Sequence, residues 1–160
     1  MKTLYLVRHA KAEDLQRLHD SERRLTDTGI RQAEKMSKIL SEQIIFPDLF
    51  ISSPAKRALE TARIFAENLS YPENEIVTDR KIYDASAIRL LQIINGIDNK
   101  TTTVFVFGHN PGLSLIAEYL SGFDRWLRKC AVARIVFDYD DWADVSENSG
   151  ICKIFEPKDI

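Results

Sequence analysis

Residues 101–112 read Thr-Thr-Thr-Val-Phe-Val-Phe-Gly-His-Asn-Pro-Gly. The part from Thr102 to Phe107 is β-branched and aromatic, which predicts a buried strand. Gly108-His109 ends it, Asn110 is a good N-cap, and Pro111 suits the first helical position because its missing N–H costs nothing there. A helix is therefore expected from Pro111 to Leu120. A buried strand that feeds a helix through a short turn is the repeating unit of an α/β sheet.

The flanking sequence repeats that alternation. Lys2 to Arg8 is apolar and β-rich, as a strand covered on both faces would be. Thr26 is a candidate N-cap for a helix from Thr28 to Gln43, with Ile30, Ala33, Met36 and Leu40 at helical spacing. Asp48 to Ser52 reads as a strand. Pro54 to Leu69 reads as a helix with Ala58, Leu59, Ala62, Phe65, Ala66 and Leu69 on one stripe. A short strand from Glu75 to Thr78 and a helix from Ser86 to Asn95 follow. Near the end, Ala131 to Tyr139 and Gly150 to Phe155 read as strands joined by a polar loop, Asp140 to Ser149, and add an antiparallel edge. The expectation is a three-layer α/β/α sandwich with a mostly parallel central sheet, formed as one domain over residues 1–160.

Composition narrows the functional classes. Of 160 residues, 22 are Lys or Arg and 24 are Asp or Glu, a net charge of −2. A nucleic-acid binder usually carries a basic surplus, so that class is disfavoured. The N-terminal apolar run ends at Arg8, too short for a signal peptide or a membrane span. Two cysteines, Cys130 and Cys152, do not make a disulfide framework, and a reducing cytoplasmic location is expected.

The chemistry gathers at three strand ends. Arg8-His9 follows the first strand, Ser52-Ser53-Pro54 with Arg57 follows the second, and Gly108-His109-Asn110-Pro111 follows the strong one. Ligands of open α/β sheets bind outside the carboxyl ends of the strands. Ser53-Pro54 and Asn110-Pro111 each predict a helix N-terminus at that edge, a setting that favours anions. Arg57, one turn on, leans back toward the same point. Arg8, Arg57, His109 and Asn110 are thus the candidate phosphate-binding residues, guanidinium groups being well matched to phosphate oxygens. His9 is the candidate nucleophile: a neutral imidazole has a free lone pair, and nearby arginines disfavour its protonation. Attack on phosphorus divides the reaction into two displacements, and cationic side chains can supply the charge neutralisation that Mg²⁺ often provides. The three histidines match no common zinc spacing, so neither metal nor cofactor is expected.

At these residues the chain resembles the histidine phosphatase superfamily, the branch that includes phosphoglycerate mutases and acid phosphatases. Arg8-His9-Ala10 is similar to its Arg-His-Gly signature, with Ala where Gly is commoner. Ser52-Ser53-Pro54 with Arg57-Ala58 and Thr61-Ala62 is similar to its second arginine motif, and Gly108-His109-Asn110-Pro111-Gly112 to its second histidine motif. The short length and the stretch Asp20-x-x-Arg23-x-Leu25-Thr26-x-x-Gly29 resemble the SixA-type phosphohistidine phosphatases more narrowly. The resemblance implies a phosphoglycerate mutase-like fold and a phosphohistidine intermediate on His9, with Arg8, Arg57 and His109 binding the phosphoryl group. The Glu general acid that mutase-like members carry in an inserted segment has no counterpart here. Asp20 is the first candidate for that role, ahead of Glu13 and Asp84.

The resulting expectation is a metal-independent phosphatase acting on phosphohistidine in a protein. A short chain lacks insertions to roof the pocket against a bulky substrate. The alternatives are a phosphomonoesterase for a small metabolite and a catalytically silent module that binds phosphoproteins. His19 and the run Asp20 to Arg24 read most simply as a solvated loop, with Arg23 a possible tether to a nearby acid. Trp126 and Trp142 are expected to pack on the core or its rim.

Overall fold

The computed structural model describes residues 1–15, 17 and 19–157. Ten elements alternate along it: β1 (Lys2–Arg8), α1 (Asp27–Ser41), β2 (Leu49–Ser52), α2 (Lys56–Asn68), β3 (Val77–Thr78), α3 (Ala87–Asn95), β4 (Thr103–Gly108), α4 (Gly112–Ser121), β5 (Val132–Phe137) and β6 (Gly150–Phe155). They form a 6-stranded sheet in the order β3-β2-β4-β1-β5-β6. The first four strands in that order are parallel, β5 runs antiparallel to β1, and β6 runs antiparallel to β5. This is the three-layer α/β/α architecture expected, with the antiparallel edge where it was expected.

The period-2 alternation of strand side chains divides the core in two. On one face Tyr5, Val7, Phe50, Phe105 and Phe107 pack under α1 and α2 through Ala33, Met36, Leu40, Ala62 and Phe65. On the other, Leu4, Leu6, Val104, Val106 and Ile135 pack under α3 and α4 through Leu90, Ile94, Leu113 and Ile116. The first face is aromatic: Tyr5 stacks on Phe105 at 4.2 Å and Phe50 on Tyr71 at 4.3 Å between centroids. Such pairs add about 0.5–1.5 kcal/mol each beyond simple burial. No helix among the described residues is long and apolar enough to cross a membrane.

All four helix starts depart from the sequence reading, α1 and α3 by one residue, at Asp27 and Ala87. α2 begins at Lys56 rather than Pro54, with Ala55 at the cap and no side-chain cap bond. Ser53 Oγ instead accepts from the Ala55 amide at 3.2 Å, closing a short turn. α4 begins at Gly112 with Pro111 at the cap position, and Asn110 Oδ1 still accepts from the Ser114 amide at 3.1 Å. Trp142 is fully buried as expected, whereas Trp126 is 57% exposed. The polar stretch from Asp20 is also more ordered than a solvated loop, since Asp20–Glu22 is a 3-10 turn.

The segment that carries this turn is closed at its base. Thr26 Oγ1 accepts from the Gly29 amide at 3.1 Å, capping α1, and the Thr26 amide donates to the Lys11 carbonyl at 3.0 Å. The Lys11 carbonyl approaches so closely that a Cβ at Gly29 would lie 2.0 Å from its oxygen. Gly29→Ala should therefore push the segment off the helix and destabilise the protein by roughly 1–3 kcal/mol, as over-packing does elsewhere. Urea unfolding checks this, and an unchanged midpoint would contradict it.

Candidate active site

Three neighbouring strands build the site. β4 lies between β2 and β1, so the residues after β4 are flanked by those after β2 and after β1. His9 leaves β1 with its amide on the Gly108 carbonyl at 3.1 Å and its carbonyl accepting from the Cys130 amide at 3.1 Å. The next residue, Ala10, is fully buried, and its amide donates to Thr61 Oγ1 of α2 at 3.1 Å. Its methyl group is thus accommodated within the core.

The partners of His9 define its tautomer. Nδ1 lies 2.7 Å from the Ala10 carbonyl; a carbonyl only accepts, so Nδ1 carries the hydrogen. Nε2 is left with its lone pair, and Arg57 Nε donates to it at 3.3 Å. Burial pushes the pKa of His9 down to about 3, opposed by the Ala10 carbonyl and assisted by the charges of His109, Arg57 and Arg8. His109 is held down at about 4, mainly by burial and then by the Arg57 charge. Both imidazoles are therefore neutral near pH 7. His109 Nε2 lies 2.7 Å from Ser53 Oγ. The Ser53 oxygen also accepts from the Ala55 amide, so Ser53 ties the turn before α2 to the His109 ring, whose other nitrogen is Nδ1. That atom is buried and has no protein partner among the described residues.

Arg57 is oriented by the segment that precedes α1. Its Nη2 pairs with Asp20 Oδ2 at 2.8 Å and its Nη1 donates to the Asp20 carbonyl at 2.6 Å. Arg23 also pairs with Asp20, Nη2 to Oδ1 at 3.0 Å, and Tyr83 Oη donates to Oδ2 at 2.5 Å. Burial raises the Asp20 pKa, but the hydrogen bonds from Tyr83 and Arg57, the Arg57 charge and the Arg23 bond outweigh it and hold the carboxyl well below its usual range. Asp20 is consequently an ionised acceptor that positions Arg57. As it stands it has no proton to give a leaving group, which bears on its expected role as general acid. Arg23 does tether the segment as expected.

Arg8, His9, Asp20, Arg57, Asp84, His109 and Asn110 line one pocket of about 540 Å³, with Arg23, Tyr83 and Lys129 beside them. Glu13 is not among its lining residues; its carboxylate accepts from the Arg24 amide at 3.0 Å. Arg8 Nη1 and Asn110 Nδ2 both donate to the Leu127 carbonyl, at 3.0 and 2.8 Å. Tyr83, Ser53 as a partner of His109, and Lys129 were missed by the sequence reading. Tyr83 and Lys129 lie far from any motif and reach the pocket only through the fold. Among the described residues no group of three or more His, Cys, Asp or Glu side chains is placed to hold a metal ion.

This set of groups, two neutral imidazoles among paired arginines at the sheet's carboxyl edge, suits phosphoryl transfer through a histidine. The comparisons agree with it. Residues 4–87 match the histidine phosphatase superfamily (branch 1). An uncharacterized chloroplastic protein of Arabidopsis thaliana is 30% identical over 159 residues, spanning 93% of this chain and 72% of that one. A protein assigned as a phosphohistidine phosphatase SixA, from Nakamurella multipartitia, superposes with a TM-score of 0.86 at 21% identity, covering 98% of this chain and 96% of that one. A second such SixA, from Agrobacterium tumefaciens, gives 0.78 at 25% identity over 85% of this chain and 92% of that one. A protein histidine phosphatase SixA solved with tungstate gives 0.83 at 19% identity over 97% of each chain. The chain belongs to the histidine phosphatase superfamily and is a histidine-type phosphatase, with the fold of the SixA-type structures.

The depressed pKa values have a measurable consequence. In the unfolded chain a histidine takes up its proton near pH ~6.5. Folding holds His9 and His109 neutral down to about 3 and about 4. Their contribution to stability is thus fully present above ~6.5 and is lost as pH falls through ~6.5 toward those values. Imidazole NMR resonances of His9 and His109 should remain those of the neutral rings at pH 5.5, with His9 in the Nδ1–H form. Protonation of either ring at that pH would contradict the assignment.

Proposed function

We propose that the enzyme removes the phosphoryl group from phosphohistidine in a protein, by way of a phosphohistidine formed on its own His9 and without a metal ion. The observation that carries this reading is the tautomer of His9, which leaves Nε2 unprotonated at a pocket lined by Arg8 and Arg57. The phosphoryl group sits among Arg8, Arg57, His109 and Asn110, where fixed positive charge takes the place of a divalent cation. His9 Nε2 attacks phosphorus, the bond from phosphorus to the substrate nitrogen breaks, and the substrate imidazole leaves. Water then attacks the phosphorus on Nε2, releasing inorganic phosphate and restoring His9.

The state of Asp20 supports a nitrogen leaving group. An alkoxide leaves only with a proton from a positioned acid, and the Asp20 carboxyl is ionised against Arg57, Arg23 and Tyr83. An imidazole leaves more readily without one. Asp84, an exposed carboxyl at the pocket, favours the alternative of a small phosphate monoester. A silent phosphoprotein-binding module is less well supported, because the nucleophile and both arginines share one pocket. The reading treats residues 1–160 as one catalytic unit, assigns no role to nucleic acid or membrane, and places the enzyme in a reducing cytoplasm, which suits the free thiols of Cys130 and Cys152.

Turnover of a phosphohistidine-bearing protein and of p-nitrophenyl phosphate, each with and without EDTA, tests the reading. The phosphoprotein should be favoured by at least ~100-fold in kcat/KM, equivalent to about 2.7 kcal/mol of transition-state discrimination. Chelator should change neither rate. Preference for the ester would shift the substrate to small metabolites, and a loss in EDTA restored by a divalent ion would overturn metal independence.

A further inference from the structure

The segment between α4 and β5 differs in charge from the rest of the chain. Among Phe123 to Lys129 stand three cations, Arg125, Arg128 and Lys129, against one acid, Asp124, while the whole chain carries −2. All three cations are exposed, and none forms an ion pair among the described residues. Trp126 lies between them, 57% exposed, although a side chain of its size would be expected to pack on the core. Arg125 lies over the Phe123 ring at 5.1 Å.

This segment is fastened to the catalytic pocket through its one buried residue. The Leu127 amide donates to Ser114 Oγ at 2.9 Å, and its carbonyl accepts from Arg8 Nη1 and Asn110 Nδ2. Ser114 Oγ in turn donates to Asn110 Oδ1 at 2.7 Å. Two residues on, Lys129 lines the pocket, and the Cys130 amide holds the His9 carbonyl. The exposed cations and Trp126 are therefore carried on a backbone that shares hydrogen bonds with the phosphate-binding residues. A rigid basic rim bearing an exposed Trp beside an active site has the composition of an interface: Trp and Arg are enriched at the centres of protein contacts, and rim cations attract an oppositely charged partner.

We infer that the Phe123–Lys129 segment is a docking surface for an acidic face of the phosphorylated protein, next to the residue being dephosphorylated. The inference rests on the protein-substrate reading above and adds to it a location and a charge. Arg125 and Arg128 supply attraction, Trp126 a contact surface, and Lys129 leads from the rim into the pocket.

The test uses the full chain and two substrates: an acidic carrier domain phosphorylated on histidine, and free phosphohistidine. The variants are Arg125→Glu with Arg128→Glu, and separately Trp126→Ala. Each should lower kcat/KM for the carrier domain at least ~10-fold, chiefly through KM, and leave free phosphohistidine turnover unchanged. The charge-reversed variant should also lose the salt dependence that the wild type shows with the carrier. Equal losses on both substrates, or no loss on either, would overturn the docking surface. So would wild-type binding of single-stranded DNA that competes with the carrier and disappears in the variants, which would mark a nucleic-acid surface instead. A wild type that hydrolyses free phosphohistidine but not the carrier would overturn the docking surface and leave the catalytic reading intact. One that hydrolyses neither would overturn the reading beneath it.

Discussion

A hydrogen bond of 2.7 Å between His9 Nδ1 and the Ala10 carbonyl governs the chemistry open to this pocket. A buried imidazole among arginines is neutral, but neutrality alone does not say which nitrogen is free. The carbonyl of the next residue settles that, because it can only accept. With the hydrogen held at Nδ1, the lone pair lies on Nε2, on the side where Arg57 donates. The backbone around His9 is fixed in turn by bonds to Gly108, Cys130 and Thr61, from three different parts of the chain. The orientation of the ring is thus a consequence of sheet order, since β1 lies between β4 and β5.

Arg57 connects that ring to the segment before α1. Its guanidinium reaches His9 with Nε and Asp20 with both terminal nitrogens, so a single planar group sets two distances at once. Its own side chain is nearly buried whereas that of Asp20 is half exposed, a setting in which solvent screens the pair and its value lies in geometry more than in stability. Asp20 answers to Tyr83 and Arg23 as well. The acid that sequence reasoning put forward as a proton donor is therefore better explained as the residue that aims the arginine.

The layers and the strand order of chemistry were legible because burial leaves a periodic record. Lys2–Arg8 and Gly150–Phe155 were bounded correctly from their β-rich composition, and the three strand-end motifs do line one pocket. The helix starts were less legible. Ser53-Pro54 and Asn110-Pro111 look like a cap and a first helical residue, yet each Pro falls before the helix proper; Ser53 Oγ closes a turn and also faces His109. Tyr83 and Lys129 are 74 and 120 positions from His9 in sequence, and only the topology brings them to it. Trp126, expected on the core or its rim, is 57% exposed beside the buried Leu127, whose amide donates to Ser114 Oγ.

The central claim is that His9 Nε2 becomes phosphorylated, and acid-sensitive trapping tests it most directly. Wild type and His9→Ala would be mixed with a ³²P-phosphoryl donor, quenched, and the label followed in acid and in base. The account predicts a label on wild type that is stable in base, labile in acid and absent from His9→Ala. An equally strong label of the same chemistry on His9→Ala would contradict it, as would release of phosphate by wild type with no trapped label under single-turnover conditions.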